Sequence, residues 1–177
     1  MELWIQSINH EMDRLQPDVT PREDLVWKRQ IFRAEMLSAT GDYEQAVVLS
    51  RKAQFSLGKR GEEINGPKGF FSNGSPEFIV RKHMAVNLMH AGEFTEAGKI
   101  IRDLRDNYGM EPEPYVLLEQ VYRAAGKYSK AEKAAAEAKA FAEEDFGRQL
   151  VLAKLYREYD SLSRYLEFSK TAAESKP

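Results

Sequence analysis

Few residues of this chain are of a type that does chemistry, and their spacing decides what chemistry is open to them. His83 and His90 stand seven apart, and Glu93 follows. On a helix that spacing puts two imidazoles on one face but two turns apart, about 10 Å along the axis. One metal ion does not bridge them unaided, and no His-Glu-x-x-His pattern brings further ligands. They are read as exposed or groove-lining histidines. Gly61-Glu62-Glu63-Ile64-Asn65-Gly66-Pro67-Lys68-Gly69 has the outline of a phosphate cradle. It lacks the substance of one: Pro67 removes a backbone N–H donor, no Ser or Thr follows Lys68, and no strand pattern precedes it. The acidic runs Glu62-Glu63 and Glu143-Glu144-Asp145 face no opposing acid, base or nucleophile. Solvated loops and helix ends are the ordinary home of such runs. The chain has no cysteine, so it has neither a thiol nucleophile nor a disulfide frame. No serine has a linked His and Asp. No catalytic residue, metal or cofactor is expected, which leaves non-covalent binding.

Composition narrows the partners. Lys and Arg number 26 against 28 Asp and Glu, a net charge of −2, which argues against a general nucleic-acid or membrane-surface role. The start, Met1-Glu2-Leu3-Trp4-Ile5-Gln6, lacks the basic and apolar regions of a secretory signal, and no apolar run reaches the length of a transmembrane helix. A cytoplasmic location is expected, and with it Asn73-Gly74-Ser75 is a chance match to a glycosylation acceptor.

The elements that position these residues follow from a recurrence. Gly41-Asp42-Tyr43-Glu44-Gln45-Ala46, Gly92-Glu93-Phe94-Thr95-Glu96-Ala97 and Gly126-Lys127-Tyr128-Ser129-Lys130-Ala131 share one pattern. The second and third are 34 residues apart, and the first and second 51, which is 34 plus 17. Glycine takes the left-handed conformation that stops a helix. The aromatic fills the gap beside the turn, and alanine sits where the two helices of a hairpin come closest. Ala34, Ala85 and Glu119 stand twelve residues before the turn alanines, and Leu37, Leu88 and Tyr122 nine before them. Helical periodicity is expected to about 39, then over 43–57, 77–91, 94–107, 112–125, 129–144, 147–159 and 161–174. Residues 2–16 read as a further amphipathic helix with Ile5, Ile8, Met12 and Leu15 on one face.

Gly-x-aromatic-x-x-Ala at a 34-residue period resembles the tetratricopeptide repeat, a helix–turn–helix unit that stacks into a solenoid. The resemblance covers most of residues 26–176. Glu119 departs from it, since the family prefers a small residue there. The expected fold is all-α: one domain over 1–177, a right-handed solenoid of three clear repeats, a degenerate C-terminal hairpin and an N-terminal capping helix. The resemblance implies a protein–protein interaction scaffold, whose first helix in each hairpin lines a concave groove that takes a peptide or helical segment. The inward-facing places include Phe32, His83, Val86 and Leu117, then Leu150, Val151, Lys154 and Arg157. Phe32, Val86 and Leu117 are expected to touch a partner, with Lys82 and Arg123 as charge anchors. This mix fits a protein or peptide partner of apolar to mildly acidic character. The carboxylate clamp by which some relatives hold chaperone C-termini is not expected, because Ile31, Glu35, His83, Glu113 and Leu117 stand at its places. The alternative is a self-associating structural repeat that uses the same apolar surface for a homo-oligomer.

Residues 58–76 interrupt the repeat and hold five of the eleven glycines, two prolines and the pair Phe70-Phe71. Long loops in compact domains are commonly functional or disordered. Phe70 and Phe71 are expected to act as a lid or a partner contact. Plugging a gap between the first two repeats is the structural alternative.

Overall fold

The computed structural model describes residues 23–58, 75–143, 145–159 and 162–174. The expected helix over 2–16 and the Phe70-Phe71 pair lie outside these residues. The described residues form helices and no strand. In chain order they are α1 (Glu23–Ala39), α2 (Tyr43–Gly58), α3 (Pro76–His90), α4 (Phe94–Asn107), α5 (Glu113–Ala124), α6 (Tyr128–Phe141), α7 (Phe146–Glu158) and α8 (Leu162–Glu174).

The glycine turns form as their sequence demands. Gly41, Gly92 and Gly126 have φ of +85°, +83° and +69°, where any Cβ is strained. The amides of Asp42, Glu93 and Lys127 donate to the carbonyls of Leu37, Leu88 and Tyr122 at 2.9, 2.8 and 2.8 Å. The glycine amides donate to Ser38, Met89 and Arg123 at 3.1, 3.1 and 3.0 Å. This paired closure satisfies carbonyls that a helix end leaves orphaned. One residue turn later, Ala46, Ala97 and Ala131 are fully buried where each hairpin is tightest. The places twelve residues before them are fully buried as well, as Ala34, Ala85 and Glu119.

Helices follow one another in space as they do in sequence. Consecutive helices pack side by side from α1 to α6 and again as α7 with α8, and each odd-numbered helix also touches the next odd one. The α6–α7 step is looser, and there Ala138, Ala142 just past the end of α6, Leu152 and Tyr156 share one buried cluster. Asp145 starts α7 by accepting a hydrogen bond from the Arg148 amide at 2.9 Å, so the acidic run serves as a helix cap there. The core runs along the stack. Ile31, Ala53 and Val80 fill the first end, Leu88, Ile101, Leu104, Leu117 and Val121 the middle, and Val116, Leu152, Tyr156 and Phe168 the far end. In α6 every buried residue is alanine: Ala131, Ala134, Ala135 and Ala138.

Charged rungs cross from hairpin to hairpin on the even helices. Arg51 clasps Glu96 with two hydrogen bonds of 2.8 and 2.7 Å. Arg105 reaches Glu137 at 2.6 Å, Arg164 reaches Glu132 at 2.7 Å, and Lys139 reaches Glu167 at 3.3 Å. Exposed pairs of this kind are worth about 0–1 kcal/mol each, so they set register more than they hold the stack together.

Candidate interaction surface

The odd helices form one row, and their outward side chains make the candidate surface. On α1, Lys28, Phe32, Glu35 and Ala39 recur at helical spacing and are all exposed, Phe32 to 43%. The next helix carries Lys82, His83 and Val86 half-buried, and Val86 packs against the central core. Two of these are tied to neighbouring helices. His83 Nε2 lies 3.2 Å from Glu35 on α1, and Lys82 Nζ lies 3.1 Å from Glu113 on α5. Burial first, and Lys82 second, push His83 below the ordinary imidazole range against the opposing pull of Glu35. The imidazole thus sits against the Glu35 carboxylate, whose charge works against that downward push.

The middle of the row is closed by the chain itself. Glu113 takes Lys82 on one oxygen and the Tyr159 hydroxyl, at 2.9 Å, on the other. Burial, then the Glu113 carboxylate, push the Tyr159 phenol far above its usual value, so it remains a donor. Three odd-row elements are thus strapped together, since Tyr159 sits at the C-terminal end of α7. Leu117, expected as a partner contact, is fully buried in the central cluster against which Tyr159 packs. It is a core residue, enclosed with Met84, Leu88, Ile101 and Val121 in that cluster.

Arg123 also differs from expectation. Its guanidinium is turned onto Glu119 at 2.6 Å and Glu132 at 3.0 Å. The Glu119 hydrogen bond is the first cause of its raised pKa. Lys82 and Arg123 are therefore internal counter-ions, and neither offers an unpaired charge. The network around Glu119 was the least visible part of the molecule. Its carboxylate is fully buried and also accepts from the Tyr156 hydroxyl at 2.7 Å and Arg164 Nε at 3.2 Å. The one sequence signal was Glu119 itself, standing where its counterparts are alanine. At the same offsets from Tyr165, the fourth hairpin has Ala153 and Tyr156, both buried, so it keeps the small-then-large pattern that its turn has lost.

His83 and His90 do not converge. His83 faces Glu35, whereas His90 stacks on Tyr43 with ring centroids 5.0 Å apart. Among the described residues no three His, Cys, Asp or Glu side chains gather as metal ligands. Leu150 and Val151 lie exposed at the far end of the row, to 46% and 44%, with Lys154 and Arg157 also exposed. A depression of about 400 Å³ lies elsewhere, bounded by Gln30, Val48, Arg51, Lys52, Phe55 and Ser56, mostly on α2. No family model matches the chain, and no curated protein does. Among the described residues, no helix is long and apolar enough to cross a membrane.

Proposed function

We propose that this chain is a protein–protein interaction module, a right-handed tetratricopeptide-like solenoid of three repeats and a modified fourth hairpin. Its odd-helix row is the concave side and receives a peptide or helical segment of a partner protein. Support for the repeat comes from the three left-handed glycine turns with their buried alanines. The observation that carries the binding reading is Phe32. It is a large apolar side chain, 43% exposed, beside Glu35 and the His83 ring that Glu35 binds. Aromatic side chains flanked by polar groups are common anchors of interfaces. Because Lys82 and Arg123 are neutralised within the chain, the partner's principal anchor is apolar. Its acidic character counts for less than the sequence alone implies.

The test is position-specific photocrosslinking. A photoreactive residue at 32 or 86 captures the partner, whereas one at exposed Tyr128, at the start of α6, does not. Equal capture from all three positions would show that the odd row is not the binding face.

A further inference from the structure

The charged rungs between hairpins keep a register, counted from the turn alanine (Ala46, Ala97 or Ala131) and, in the last hairpin, from Tyr165. Arg51, five residues after its alanine, reaches forward to Glu96, just before the next alanine. A second acceptor place lies two residues after the alanine or its counterpart, where Glu167 takes Lys139 from the hairpin before. Between the second and third hairpins the corresponding places hold Arg102, Lys130 and Lys133. A rung that carries a carboxylate elsewhere carries three cations there.

Among the described residues, no carboxylate forms an ion pair with Arg102, Lys130 or Lys133. The acids one helical turn on, Asp106 after Arg102 and Glu137 after Lys133, are both turned to Arg105. Arg164, the cation at Lys130's place in the last hairpin, is by contrast held by three glutamates. Tyr122, near the end of α5, gathers the group. Arg102 Nη1 donates to its hydroxyl at 2.9 Å, and Lys130 Nζ stands over its ring, 5.9 Å from the centroid. The guanidinium is half-buried and lies along buried Gly98, where a Cβ would stand 3.6 Å from Nη1. It is held in place with N–H groups to spare. The Tyr122 hydroxyl accepts from it and keeps its own proton to donate. Lys130 and Lys133 are exposed beside them.

We propose that this rung is a binding site for a phosphate group, as the free ion or as a monoester. It lies between α4 and α6, apart from the odd-helix row. Three cations call for more than the single charge of a carboxylate, and a phosphate monoester carries about −1.5 to −2 at neutral pH. The guanidinium offers phosphate oxygens a planar fork, and each lysine adds a point charge. The Tyr122 hydroxyl supplies a neutral donor between them. Because the chain as a whole is acidic, at a net charge of −2, this attraction is local to the rung.

Nitrogen-15 NMR of the 177-residue chain tests this, with inorganic phosphate or methyl phosphate added to about 30 mM at constant ionic strength. Saturable shifts are expected at the Arg102 Nε–H and at the amides of Gly98, Lys130 and Lys133. Saturation by inorganic phosphate alone would mark a site for the free ion, and by methyl phosphate alone a site for an esterified group. Acetate should not saturate the same signals. Lys130→Glu puts an acceptor where Glu96 serves Arg51, so it should remove the saturation with helix content unchanged. Should that variant misfold, Lys133→Glu carries the same expectation. Lys170→Glu makes the same change of charge on α8 and should leave the shifts intact. No saturation by either phosphate, equal saturation by acetate, or equal loss in Lys130→Glu and Lys170→Glu would each overturn the proposal.

Discussion

Glu119→Ala puts back the small side chain that the repeat pattern calls for, and it should still destabilise the protein. The carboxylate is fully buried and accepts from Tyr156 at 2.7 Å, Arg123 at 2.6 Å and Arg164 at 3.2 Å. Removing it leaves the Tyr156 hydroxyl without its acceptor inside the far core, a loss of about 1–3 kcal/mol. Breaking a buried ion pair from one side commonly costs about 3–5 kcal/mol. Here the figure is smaller, because Arg164 keeps Glu132 and Glu167 and Arg123 keeps Glu132, all partly in water. The expected total is about 2–4 kcal/mol, which in a chain of this size lowers Tm by about 5–15 °C. Tyr156→Phe alone should lose less, and the double variant should fall short of the sum, because both changes remove the same bond. Urea unfolding followed by circular dichroism gives these energies, and hydrogen exchange locates the loss in α5, α7 and α8. A Glu119→Ala protein within about 0.5 kcal/mol of the parent would refute the reasoning, since surface changes fall in that band.

Replacing Ala97 or Ala131 with Leu should overpack a hairpin where both alanines are fully buried, costing about 1–3 kcal/mol by chemical denaturation. His83 has its folded pKa lowered, mainly by burial, so the unfolded chain binds its proton first. Stability from this site is present above the ordinary value of 6.5 and is lost as pH falls towards the folded value. His83→Gln should flatten that acid-side decline in a pH series of melting curves, and an unchanged slope would assign it to other groups. Replacing Phe70 and Phe71 together with Ala should change partner affinity while Tm holds; a lower Tm with unchanged affinity would make the pair a structural plug.

What the sequence made legible was whatever a short stretch of backbone decides. Gly41, Gly92 and Gly126 mark left-handed turns because no other residue adopts that φ freely. The alanines five residues on mark close approach for an equally local reason. The face of α5 was not legible in the same way. Leu117 is buried because its cluster gathers side chains from distant helices, Met84 and Leu88, thirty-three and twenty-nine residues before it, among them, with Tyr159 packed against the same cluster. Nothing near Leu117 encodes that. Lys82 and Arg123 are visibly cations in the sequence; Arg123 has Glu119 one helical turn before it, whereas the Glu113 that neutralises Lys82 stands thirty-one residues away and only the fold brings it close. The fourth hairpin lay between these cases. Tyr165 hid its turn, while Ala153 and Tyr156 kept the spacing of a repeat.

The alanine-rich helix α6 reads as the least specific part of the chain, a run of interchangeable small letters. Its packing makes it otherwise. Ala134 and Ala135 are 4% and 5% exposed, and Ala136 beside them faces water. A methyl group is all that the inner column holds, so even valine at Ala134 or Ala135 pushes two helices apart. At Ala136 almost any helix former fits. Three identical neighbours are thus under opposite selection. Drift in this protein can rewrite one side of α6 freely while the other stays frozen, and a comparison that scores residues by type alone sees no difference between them.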